Sequence, residues 1–138
     1  MSTEENKTIV RRYVDDLNKK NLAAVDELYD VNYVSHVAGM ENLHGPEGMK
    51  QYITTFLNAI PDLHWTIEDV IAEGDKVVSR YRIRGTHKGE LMGIAPTGKQ
   101  LTVTGIVIRR MVGGKVVEEW AERDMLGMMQ QLGAIPSQ

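Results

Sequence analysis

The chain has 138 residues, with 16 Lys and Arg against 19 Asp and Glu, a formal net charge of −3 and no cysteine. That length fits one domain able to enclose a core and a small pocket. Without cysteine there are no disulfides or thiolate-held metals, and the acidic balance argues against a nucleic-acid partner, which would want a basic excess.

The N-terminal MSTEENKTIV is polar and acidic where a signal peptide is basic and then apolar, and no apolar run approaches the ~20 residues of a bilayer span. The expectation is a cytoplasmic globular protein with no membrane partner. Ser2 and Glu5 stand at capping-box spacing, and Ile9, Val10, Tyr13, Val14 and Leu17 follow at helical intervals. NKKN (18–21) breaks that helix, and Asn21 is placed to cap a short second one carrying Leu22, Val25, Leu28 and Tyr29. VNYVSH (31–36) predicts a short strand. AGMENLHGPEG then leads into a helix with Pro46 in its first turn, a stripe of Met49, Tyr52, Ile53, Phe56, Leu57 and Ile60, and a stop at Pro61.

Beyond residue 62 the apolar period changes. Residues 63–72, 76–85, 101–112 and 115–124 are long strand candidates. EGDK and VGGK make tight hairpins, and THKGELMGIAPTGKQ joins the middle pair. A last helix carries Met125, Leu126, Met128, Met129 and Leu132 and ends at Gly133. Helices set apart from hairpin-linked strands predict an α+β fold over residues 1–138, one domain, with helices on one face of a curved antiparallel sheet.

Several pieces resemble the SnoaL-like polyketide (ester) cyclases. They are PDL before the first long strand, G-T-H-x-G…G-x-x-P-T-G-K, G-K-x-V-E-E-W, and W-x-x-x-D-x-x-G-x-x-x-Q-L-G, with SHVAG…GPEG in the first half. The resemblance spans residues 5–133. It implies the cystatin-like α+β cone shared with nuclear transport factor-like proteins, an apolar pocket, and homodimers through the outer sheet face. It also implies intramolecular aldol cyclisation or isomerisation of an apolar oxygenated substrate, without metal or cofactor, by one aspartate acting as acid and base.

By motif position that aspartate is Asp124. On local pattern alone Asp124 is a helix N-cap, a role that lowers a carboxyl pKa and makes a poor base. Catalysis instead requires it to face an apolar cavity. Strict alternation puts Asp124 on the side of Val116, Glu118, Trp120 and Glu122. Their two carboxylates look solvated or partner-facing and place it outside, unless these acids line a polar mouth or a bulge near the strand end re-aims it. His36 is the second catalytic candidate. Tyr33, Tyr52, Phe56, Trp65, Met92, Met111, Trp120 and Met128 are candidate pocket walls, with ordinary core as the competing role.

Val107 stands where relatives often carry a polar or acidic residue. Arg80, Arg82 and Arg84 could form a ladder with Glu118 and Glu122. The histidines at 36, 44, 64 and 87 lack metal-ligand spacing. Two rivals remain: a non-catalytic binding or interaction module of the same fold, and an epoxide hydrolase, for which two matching aspartates are missing.

Overall fold

The computed structural model describes residues 1–136. Its elements are α1 (Thr3–Asn18), α2 (Ala23–Leu28), β1 (Tyr29–Val37), β2 (Leu43–His44), α3 (Gly45–Ala59), β3 (His64–Glu73), β4 (Lys76–Thr86), β5 (Gln100–Val112), β6 (Lys115–Arg123) and α4 (Met125–Leu132). No helix is long and apolar enough to cross a membrane.

The strands form one curved, unclosed sheet in the order β2-β1-β6-β5-β4-β3. All neighbours run antiparallel except β1 and β6, which are parallel. The helices explain the enclosure. Ser2 and Glu5 exchange both capping bonds at 3.1 Å, and α1 lays Val10, Tyr13, Val14 and Leu17 onto the sheet beside Met49 and Ile53 of α3. A second apolar cluster joins Ile60 and Leu63 to Leu101, Val103, Met128 of α4 and Leu132.

Two expectations need correcting. Leu22, not Asn21, is the N-cap of α2, and it makes no side-chain cap bond. Tyr29 is the first residue of β1 rather than part of a helical stripe.

One irregularity positions the site. The VGGK hairpin pairs Val112 with Lys115 and Met111 with Val116, after which Val117 is passed over and Arg110 pairs with Glu118. This bulge swaps the face of everything downstream in β6. Glu119, Ala121 and Arg123 turn inward, while Glu118, Trp120 and Glu122 turn outward.

The bulge also sorts the RR and EE doublets of this hairpin into two pairs on opposite faces. Arg109–Glu119 lies inside at 3.2 Å, and Arg110–Glu118 outside at 3.4 Å. The expected ladder from β4 to β6 is absent, because β5 lies between them. Arg82 pairs instead with Glu68 of β3 at 3.0 Å.

Candidate active site

Register lays the inner face out in rows. One row is Val77–Arg109–Glu119–Ser35, the next Ser79–Val107–Ala121–Val37, and the next Tyr81–Gly105–Arg123. Helices α1 and α3 roof these rows with Tyr13, Leu17, Met49, Tyr52, Ile53 and Phe56, and Trp65 and Met128 close the sides. The cavity is about 120 Å³, close to the ~150 Å³ of an engineered cavity that holds benzene.

At one end of the cavity sits a buried polar group. Glu119 is only 2% exposed. Its Oε2 accepts from the Tyr29 hydroxyl at 2.9 Å and faces Arg109 Nε at 3.2 Å, and its Oε1 accepts from Ser35 Oγ at 2.9 Å. Arg109 also lies over the Tyr13 ring, 5.6 Å from its centroid. Burial pushes the Arg109 guanidinium down, but Tyr29 and Glu119 more than offset this and the net direction is up, so it stays a cation.

Burial raises the phenols of Tyr13 and Tyr29 far above their usual range, that of Tyr81 to about 12, and that of Tyr52 upward despite the opposing Arg123 charge. These groups remain protonated and can act as donors; the Tyr29 hydroxyl donates to Glu119 while accepting from Arg109 Nε at 3.4 Å. The central row, Val107 and Ala121 face to face, is apolar apart from Ser79, whose buried Oγ has no partner. At the far end Arg123 lies over Tyr52 and Phe56, 5.1 and 5.0 Å from their centroids. Tyr81 reaches this end because Gly105 makes room: a Cβ there would stand 2.5 Å from the phenol oxygen.

The expected residues divide. Tyr52, Phe56, Trp65 and Met128 line the cavity. Tyr33 and Met111 are core residues, 1% and 3% exposed, packed outside the lining. Met92 is exposed in the long loop in a left-handed conformation, with φ of 50°. Trp120 stands on the outer face with His36 stacked against it, ring centroids 5.7 Å apart, and His36 Nε2 lies 2.9 Å from Glu118 Oε2. Tyr33, Met92, Met111, Trp120 and His36 are therefore not cavity walls.

Asp124 is exposed, and its Oδ1 accepts from Gly127 N at 2.8 Å, capping α4. The bulge at the start of β6 turns Asp124, with Glu118, Trp120 and Glu122, away from the inward face that Val116 occupies. Gly127 belongs to the same device, since any Cβ there would collide with the Asp124 carboxylate; D-x-x-G here is a capping unit. What pattern reading missed is Glu119 with Arg109, Tyr29 and Ser35. Its available signal was the acid and the base on the faces opposite Trp120 and Ile108.

Among the described residues, no group of three His, Asp or Glu is arranged to hold a metal. The family model for SnoaL-like polyketide cyclases matches residues 7–132. The chain is 29% identical over 128 residues to the aklanonic acid methyl ester cyclase DnrD of Streptomyces peucetius, covering 91% of this chain and 88% of that protein. It is 30% identical over 129 residues to the aklanonic acid methyl ester cyclase DauD of Streptomyces sp. (strain C5), covering 91% and 80%. TsrD from Streptomyces laurentii superposes with a TM-score of 0.87 at 27% identity, covering 98% of this chain and 99% of that one. With the matched model spanning all but the ends, this chain belongs to the SnoaL-like polyketide cyclase family.

Proposed function

We propose that the chain binds an apolar, oxygenated small molecule in this cavity and acts on it by cofactor-free acid/base chemistry of the cyclising or isomerising kind, with Glu119 as the proton-transfer group. One observation carries this reading: among the described residues, Glu119 is the only carboxylate on the cavity wall. The relatives that are named as cyclases of a methyl ester support the reaction class.

The clamp on Glu119 limits the substrate. Two hydroxyl donors and a guanidinium occupy both oxygens of the carboxylate, and the substrate proposed for it carries a C–H already acidified by two flanking carbonyls, as in a β-keto ester. Tyr29, hydrogen-bonded to Glu119 at 2.9 Å, would give a proton to the alkoxide or enolate and recover it from the protonated Glu119, and the cavity walls would hold the chain folded for attack. In this account Asp124 is a cap, and His36 and Trp120 belong to the outer face. Epoxide hydrolysis finds no support, because only one wall carboxylate accompanies Arg109 and Arg123 among the described residues.

The test is turnover of a panel of β-keto esters by the native chain, Glu119→Gln and Asp124→Ala, at a temperature where all are folded. General acid/base catalysis contributes ~10²–10⁴-fold. Glu119→Gln should lose about that factor and Asp124→Ala should stay within about threefold of native; the opposite pattern refutes the assignment. The saturation of Glu119 also favours a second reading, a non-catalytic binding module, which predicts ligand binding with no turnover by the native chain.

For the assembly, we propose a homodimer through the outer sheet face. Ile71, Val78, Ile108 and Trp120 share one cross-strand row there, and Ile71 and Trp120 are 60% and 36% exposed. Sedimentation of Trp120→Glu as a monomer beside a dimeric native chain is the expected result.

A further inference from the structure

The cavity wall carries two guanidinium groups, of Arg109 and Arg123, and one carboxylate, of Glu119. Arg109 and Glu119 neutralise one another at 3.2 Å. Arg123 has no carboxylate within ion-pair distance among the described residues, and its buried Nε has no hydrogen-bond partner. Its neighbours on β6 offer nothing, because Glu122 points outward and Asp124 is committed to Gly127.

The surroundings favour a planar oxyanion over a bulk counter-ion. Arg123 lies against the Tyr52 and Phe56 rings, and a guanidinium is weakly hydrated and presents a planar fork matched to a carboxylate. Tyr81 shares its row, and its phenol stays protonated.

Arg123 lies four residues along β6 from Glu119, about 13 Å at the usual ~3.3 Å per residue. Ala121 and Val107 leave the floor between them low and apolar. We propose that Arg123 is the anion anchor of the cavity and that the ligand is a carboxylic acid with an apolar body. Its carboxylate would sit at the Arg123 end and its reactive part toward Glu119. This rests on the ligand occupying the cavity, as proposed above, but not on Glu119 being catalytic.

Benzoate and its neutral counterpart benzamide are suitable probes, and Trp65, which lines the cavity, is the reporter. Binding is followed by Trp65 emission in Trp120→Phe protein. A charge-assisted contact replacing a neutral one is worth about 10-fold in affinity, so benzoate should bind tighter than benzamide by about that factor. Arg123→Met should bring the ratio close to one.

Equal affinities in the native background overturn the anchor, and that arm needs no folded variant of Arg123. A benzoate preference that survives Arg123→Met overturns it too. If neither probe perturbs Trp65, the cavity reading falls and the anchor with it. If benzamide binds and benzoate binds no better, the anchor alone falls.

Discussion

Replacing Glu119 by Gln keeps the volume of the side chain and removes its charge, which isolates what the buried pair contributes. Arg109 then remains as a cation 8% exposed, facing Tyr29 and a neutral amide. The hydroxyls of Tyr29 and Ser35 can rotate to bond Gln Oε1 or accept from its amide, so their contribution is largely recovered. The guanidinium cannot adapt in that way. Removing one partner of a buried pair costs ~3–5 kcal/mol, a large share of the ~5–15 kcal/mol that holds a domain together. At roughly 4 °C per kcal/mol for a chain of this size, the midpoint should fall by roughly 12–20 °C.

Urea and thermal unfolding of Glu119→Gln, Arg109→Met and the combined Arg109→Met/Glu119→Leu variant measure this directly. The combined variant should be more stable than either single one, because it leaves no buried charge unpaired. A Glu119→Gln loss below about 1 kcal/mol, or a combined variant worse than the sum of the singles, would show that the pair is not a buried ionic contact.

Asp124→Ala should cost about 1 kcal/mol through the lost cap, while Asp124→Asn should be close to neutral because Asn caps as well; urea midpoints distinguish the two. Tyr33→Phe should leave stability unchanged or raise it by up to about 1 kcal/mol, since the buried Tyr33 hydroxyl has no partner. Asp62 accepts from Thr86 N at 2.7 Å and Thr86 Oγ1 at 2.8 Å, and chiefly the backbone bond holds its carboxyl below the ordinary value of 3.8. A depressed acid contributes stability above its unfolded value and loses it as pH falls through the folded one. The urea midpoint should thus drop below about pH 3.8, with native and Asp62→Asn curves converging there.

The α+β order, the hairpins and the caps at Ser2, Asp124 and Gly133 were legible because each is a local pattern. The inward Glu119 was not, because it depends on one passed-over residue, Val117, that no residue type announces. The parallel β1–β6 pairing was hidden as well, being long-range and without a turn to mark it.

His87 shows the same limit in the loop motif. It is fully buried, and its Nδ1 accepts from Thr97 N at 3.2 Å, so T-H…P-T-G-K acts as a staple across the long loop. In the chemistry, the resemblance led to a motif aspartate that geometry makes a cap. The cavity's own charges come from residues that read as strand filler.

The central claim is that small molecules enter the cavity between α1, α3 and the inner sheet face. The two tryptophans test it, since Trp65 lines that cavity and Trp120 stands outside. An aliphatic β-keto ester, ethyl 3-oxohexanoate, is titrated into Trp120→Phe and Trp65→Phe protein while emission is recorded. A saturable change from Trp65 alone is the predicted result; a saturable change confined to Trp120 would contradict the account.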